Sequence, residues 1–353
     1  MIIARLLIEN LRNIDKAELK PHESLNYFSG ENDAGKTSVL ESLSVLSRGR
    51  SFRTNQAAEL TGAKKPSYRV FAEGTDKEGG AHRIGLERKK GHWKARLDGK
   101  DVRQLSQLSK FLPTVVMEPD SHLLVGGVPE YRRKYLDWGM FHVEHGFLDL
   151  WKNFSKALKQ RNAALRSGQI DILDSIDEVL ARYGSQLGDI RLQHAKKVSD
   201  RIEGMLELLN SRVRSVEIRY KKGWKNESYI ESLRDRRSRD LERGMTTTGP
   251  HRADLNLLCD GTPARAVLSR GEQKAFAAAM LLTQADLLEE ANRRPLLLLD
   301  DLVSEFDKEH FNSVLSKALQ GKRQVWITGT DIPRLEQDHK MFHVERGGVQ
   351  EMV

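Results

Sequence analysis

The stretch Gly30-Glu31-Asn32-Asp33-Ala34-Gly35-Lys36-Thr37 constrains this chain more than any other. Its spacing, G-x-x-x-x-G-K-T, suits a loop that wraps a polyphosphate. Gly30 and Gly35 lack a Cβ, so the backbone between them can aim consecutive N–H groups at one anion. Lys36 reaches the β- and γ-phosphates as a point charge, and the Thr37 hydroxyl suits Mg²⁺. The binding set is therefore Gly30, Glu31, Asn32, Asp33, Ala34, Gly35, Lys36, Thr37 and Ser38. The context fits. Leu25–Phe28 reads as a short strand and Thr37–Leu46 as a helix whose positive end faces the phosphates. Alone, the pattern would also suit a Gly-rich turn.

Two distant segments answer it. Leu296-Leu297-Leu298-Leu299-Asp300-Asp301 is an apolar run ending in paired carboxylates, as when a buried strand delivers acids to a nucleotide site. Asp300 is the candidate Mg²⁺ ligand with Thr37, and Asp301 the residue that polarises the attacking water. Leu268-Ser269-Arg270-Gly271-Glu272-Gln273 precedes the Ala-rich run Lys274–Leu282, so Ser269 and Gly271 make a second anion site at a helix start. One phosphate loop plus a second phosphate-reading helix start predicts two subunits sandwiching ATP. Ser304-Glu305-Phe306-Asp307 completes the set.

These motifs resemble the ABC-type ATPase heads of the SMC group: Walker A at Gly30–Thr37, signature at Leu268–Gln273, Walker B at Leu296–Asp301, D-loop at Ser304–Asp307. More narrowly the chain resembles the bacterial RecF family. That likeness rests on Leu11-Arg12-Asn13, on 127–137 (GVPEYRRKYLD), on 158–163 (LKQRNA) and on 248–254 (TGPHRAD), and so runs through nearly the whole sequence. The resemblance implies an α/β fold: an ABC-type head with mixed and antiparallel sheets (1–112 and 251–353, signature helix about 268–285) and a mainly helical arm, or lobe II (113–250). It implies that Arg12 and Asn13 come near the nucleotide. It also implies a weak, Mg²⁺- and DNA-dependent ATPase, with Lys36 and Asp301 catalytic, whose ATP-bound homodimer acts on single-stranded or gapped DNA and junctions. RecR, RecO and RecA are the implied partners, in recombinational repair, replication restart and the SOS response.

The sequence also departs from ABC heads. Glu118-Pro119-Asp120 stands where such heads carry a glutamine loop, and Thr328-Gly329-Thr330-Asp331 where transporters place a histidine. Asp33 puts a carboxylate in the loop where SMC-type loops often have Gly. Asp301 replaces a glutamate with an acid one methylene shorter, which predicts slow hydrolysis: a switch, not a motor. Two alternatives remain: a nucleotide-gated, non-hydrolysing scaffold, and a transporter ATPase subunit. The long insert between Lys36 and Ser269 and the want of a membrane-docking segment disfavour the latter.

Composition narrows the setting. A chain of 353 residues can bury a sizeable core in one large or two associated domains. One cysteine, Cys259, excludes an intrachain disulfide and fits a reducing compartment. No apolar run approaches the roughly 18 residues of a membrane span, so a cytoplasmic protein is expected. The net charge of +8, from 58 basic and 50 acidic residues, is compatible with a polyanion partner.

Along the chain, Ile2–Ile8 reads as a strand buried on both faces. Arg48–Asn55 is either a DNA-phosphate contact or a solvated loop. Tyr68–Val102 reads as antiparallel strands packed on the P-loop helix, with Trp93 in the core, and Thr114–Met117 as a buried strand. Apolar residues from Leu173 to Met205 recur at helical steps, after a helix over Phe147–Arg166, and His194, His142 and His145 are read as structural. Lys221–Lys225 and Arg234–Arg239 are the densest basic stretches, each either a phosphate contact or a solvated face. Asp254–Leu258 is expected to return the chain to the core sheet, and Gln324–Thr328 to be its final strand.

Overall fold

A computed structural model describes residues 1–54, 56–62, 65–321, 323–331, 335 and 337–352. Asn55, in the basic loop after the P-loop helix, lies outside them. The chain forms two compact units, one of residues 1–121, 208–211 and 281–353, the other of 122–207 and 212–280.

The first unit holds two six-stranded sheets. One is antiparallel, in the order β2 (Ile14–Leu19), β1 (Ile2–Leu11), β4 (Ser67–Thr75), β5 (Ala81–Lys89), β6 (His92–Leu97), β7 (Lys100–Asp101). Ile3, Leu6, Ile8 and Leu11 of β1 are fully buried, while Arg5 on the other face pairs with Glu18 and Glu73. The strand is thus buried on one face, not both. Antiparallel sheets can leave one face wet, and here charged cross-strand pairs occupy it. Trp93 packs at the edge of the core.

The second sheet runs β15 (Gly348–Met352), β14 (His339–Glu345), β3 (Leu25–Ser29), β13 (Gln324–Gly329), β12 (Leu296–Leu299), β8 (Thr114–Met117). All its pairings are parallel except the β14–β15 hairpin. Leu296–Leu299 are all buried, which is why β12 reads as an unbroken apolar run. Between the sheets lies the P-loop helix, Lys36–Arg48, eleven of whose thirteen residues are buried. Gln324, fully buried, stitches the sheets: it accepts from the Ile3 N–H (2.9 Å) and donates to the Ile3 carbonyl (2.9 Å).

The second unit is mainly helical. Helices Pro129–Val143 and Phe147–Ser167 precede Leu173–Leu208, whose 36 residues make a rod of about 54 Å. Asp254–Cys259 (β10) does not return to the core sheet. It pairs with β9 (Val216–Lys221) and β11 (Thr262–Pro263) in a separate three-stranded sheet of this unit. Its buried face reads the same in either sheet; β9 itself, VEIRYK, alternates apolar and charged residues as a half-buried strand does, a signal the sequence reading passed over.

Three arginines cross-link this unit. Arg161, wholly buried, donates to Asp177 and Asp240 (both 2.6 Å). Arg191 grips Asp137 with two nitrogens (2.9 Å each). Arg132 does the same to Asp254 (2.7 and 3.2 Å). Among the described residues no helix is long and apolar enough to cross a membrane.

Candidate active site

The loop between β3 and the P-loop helix is held open by its glycines. Gly30 has φ +155°, and a Cβ there would lie 2.2 Å from the Val344 carbonyl oxygen. Gly35 has φ +115°, and its Cβ would meet the Asn13 amide oxygen at 2.8 Å. At Gly30 a side chain would collide with backbone and at Gly35 with the Asn13 side chain, and both torsions disfavour any residue but glycine. The Lys36 ammonium is buried and donates to the carbonyls of Gly30 and Glu31, both at 2.7 Å. That fold-back keeps the charge at the loop's rim. Glu31, Asn32 and Asp33 are exposed, and Asp33 takes a left-handed φ of +62°.

Parallel pairing places β13 between β3 and β12, so three strand ends converge. Thr37 Oγ1 donates to Asp300 Oδ1 (2.8 Å), as does Thr328 Oγ1 (2.7 Å). Thr328 Oγ1 in turn accepts the Asp301 N–H (2.8 Å). The Asp301 carboxylate accepts from Ser304 Oγ (2.8 Å), which joins the D-loop to the acid pair. Burial pushes the Asp300 carboxyl up, while the hydroxyls of Thr328 and Thr37 oppose that. Thr37 and Asp300 present neighbouring hard oxygen donors, which fit Mg²⁺. Among the described residues no group of three or more His, Cys, Asp or Glu gathers as a metal cage. Mg²⁺, which shares its shell with water and phosphate, does not require one.

Three residues take roles that the sequence reading did not give them. Glu118, at the end of β8 beside β12, is pushed up to about 7 by burial, with Asp120 and Asp300 adding and Arg48 and Arg53 opposing. Arg53 also acts electrostatically on Asp300, which brings the basic loop after the P-loop helix to this site. Glu41 is fully buried on the P-loop helix, and no periodicity marks it as more than a surface acid.

Arg12 and Asn13 back the loop. Arg12 grips Glu41 with two nitrogens (3.0 and 2.8 Å) and donates to the Glu59 carbonyl (3.0 Å). Asn13 donates to the Asp33 carbonyl (3.2 Å) and accepts from Ser38 Oγ (3.1 Å). The structure brings all of these to the loop's frame.

The signature turn belongs to the second unit. Ser269 precedes the helix Arg270–Glu290 and forms a capping box with Glu272. Its hydroxyl and N–H donate to Glu272 Oε2 (2.7 and 2.8 Å), and the Glu272 N–H returns to Ser269 Oγ (3.3 Å). Those hydrogen bonds hold the Glu272 carboxyl below its usual range. Around Gly271 nothing would meet a Cβ within 4 Å, so its backbone is open to an approaching group.

The family model described as "RecF/RecN/SMC N terminal domain" matches residues 2–350. DNA replication and repair protein RecF of Xanthomonas oryzae pv. oryzae (strain MAFF 311018) is 41% identical, over 99% of this chain and 100% of that one. The RecF protein of Nitrosococcus oceani is 37% identical over the full length of both. A solved structure described as the recombination mediator protein RecF-ATP in the RecFOR pathway superposes with a TM-score of 0.89 at 27% identity, covering 100% of this chain and 98% of that one. An Smc head bound to the C-terminal winged-helix domain of ScpA superposes at 0.59 with 12% identity, a likeness of fold alone. With the phosphate loop, the acid pair and the helical second unit described above, these likenesses place the chain in the RecF family of DNA replication and repair proteins, on an SMC-type ATPase head fold.

Proposed function

We propose that the chain is an ATP-dependent DNA-binding protein of recombinational repair and replication restart, which dimerises around ATP and hydrolyses it slowly to release. The observation that carries this reading is the continuous hydrogen-bonded chain Thr37–Asp300–Thr328–Asp301, which ties the phosphate loop to both acids. In this reading Gly30–Ser38 wrap the phosphates, and Lys36 leaves its two loop carbonyls for the γ-phosphate. Asn13 holds the loop's Asp33 carbonyl, and Arg12 fixes the P-loop helix through Glu41. Thr37 and Asp300 would hold Mg²⁺, which supplies positive charge against the β- and γ-phosphates. Asp301 orients the attacking water and accepts its proton. Thr328, whose hydroxyl donates to the Asp300 carboxylate and accepts the Asp301 N–H, fixes the two acids relative to each other.

Ser269 and Gly271 of a second copy would complete each site over the γ-phosphate. In this reading the head is 1–112 and 251–353 and the arm 113–250, although by compactness β8 (Thr114–Met117) lies with the first unit, and β10, β11 and the signature turn with the second. The relatives' pathway extends the reading to RecO and RecR, to RecA loading on gapped DNA and to SOS induction.

The test is solution mass with no nucleotide, ADP or ATP, for wild type and Asp301→Asn. A dimer seen only with ATP and persisting in the variant supports the switch. A monomer throughout removes the sandwich. A dimer whose lifetime is equal in wild type and variant favours the non-hydrolysing scaffold.

A further inference from the structure

We infer that the concavity lined by Lys221, Lys225, Arg236, Arg239, Arg243 and Arg252 grips a nucleic-acid backbone through its phosphates, without reading sequence. This rests on the DNA-binding reading above and assigns it a place in the second unit. The two densest basic stretches, separate in sequence, fold onto one open cavity of about 990 Å³, joined by Arg252.

Six cations line it against two carboxylates, Asp235 and Glu242, and Asp235 already accepts from the Asn226 amide (2.6 Å). Among the described residues none of the six cations has an ion-pair partner. Their neighbour Arg237, by contrast, donates to Asp177 at 2.8 Å. Clustered, uncompensated charge repels itself, and a polyanion relieves that cost. The cavity also lacks the apolar lining of a small-molecule pocket, with Trp224 its one large apolar side chain.

The floor is built rather than mobile. Trp224 stacks on Tyr229 (centroids 4.9 Å, planes 30° apart). Both rings seat in a notch of the long helix: a Cβ on Gly184 would lie 2.4 Å from Tyr229, and one on Gly188 2.7 Å from Trp224. Gly223, at φ +94°, is tied to the following loop, since its carbonyl accepts from the Gly249 N–H (2.9 Å) and from Thr248 Oγ1 (3.1 Å). The cations therefore stand on a preorganised surface, which lowers the entropic cost of binding.

The test is the salt dependence of binding to a gapped duplex of mixed sequence, with ATP present, for wild type and the double variant Lys225→Gln/Arg239→Gln. Removing one cation from a phosphate should lower the slope of log K against log salt by about one. The double variant should therefore lower it by about two, and bind about tenfold or more weakly at 0.1 M salt. Lys225→Arg/Arg239→Lys should retain the wild-type slope, and the ATP-dependent dimer should form in every variant. An unchanged slope in the double variant, with wild type binding normally, overturns the assignment. So does a defect confined to capture of an acidic protein partner. Wild-type protein that dimerises with ATP but binds no DNA removes the DNA reading itself and this grip with it.

Discussion

In the first unit most buried charges stand beside the phosphate loop: Lys36 on two carbonyls, Asp300 between two threonine hydroxyls, Glu41 under Arg12; Arg323, which pairs with Asp286 and Glu289, is a fastener. In the second they join elements that carry no phosphate loop. Arg161 links the helix Phe147–Ser167 to Asp177 and Asp240, and Arg191 ties Asp137 to the Pro250 carbonyl (2.7 Å). The first unit draws its stability from apolar burial between two sheets, which leaves its polar groups free for chemistry. The second has a rod and a small sheet, and uses arginine–carboxylate pairs as fasteners. Most buried charges of the first unit thus mark a site, with Arg323 a joint among them, whereas those of the second are joints.

The sharpest break is Arg161→Ala, which strands Asp177 and Asp240 without their partner. It should destabilise the second unit by about 3–5 kcal/mol, read from denaturant unfolding. A change under 1 kcal/mol would mean the triad is not a fastener. In the first unit the matching test is Leu298→Ala on β12, where the missing burial and the cavity left behind should cost about 3 kcal/mol.

Lys36→Met separates the two kinds of charge. It should change stability by less than about 1 kcal/mol, because an apolar chain of similar length fills the same space. ATP binding should weaken roughly 100-fold or more, by titration calorimetry, from loss of charge-assisted bonds to phosphate. Marked unfolding in this variant would put Lys36 among the fasteners.

The smallest effect concerns Glu118. Its folded pKa, about 7, lies above the unfolded value near 4.5, so its proton favours the fold. That contribution is fully present at low pH and fades as pH rises from about 4.5 to 7. Glu118→Gln should flatten stability across this window and add about 1 kcal/mol at a pH of about 8. A pH profile unchanged by the substitution would show that the carboxyl is better solvated than its surroundings suggest.

The contrast also explains what the sequence disclosed. Walker A, Walker B and the D-loop were legible because chemistry fixes residue type and spacing together. The segments 127–137, 158–163 and 248–254 were legible only as likeness, and their physics emerges in three dimensions. They contain Arg132, Asp137, Arg161, Asn162 and Asp254, which are among the groups that fasten the second unit. Partners more than a hundred residues apart, such as Arg132 and Asp254, leave no periodic trace. The same limit hid what Glu118 and Arg53 do: both were named in the sequence, but their place beside Asp300 depends on which strand ends lie together.

One torsion has a bearing on how the hydrolysis experiment is designed. Asp301 sits at φ +53°, a left-handed conformation that aspartate and asparagine accept and longer side chains resist by roughly 1–2 kcal/mol. Lengthening this acid to the glutamate of other ATPase heads would therefore alter reach and backbone strain together, and a change in turnover could be credited to neither. Asparagine keeps the torsion and removes only the charge, so it is the substitution whose kinetics have a single interpretation.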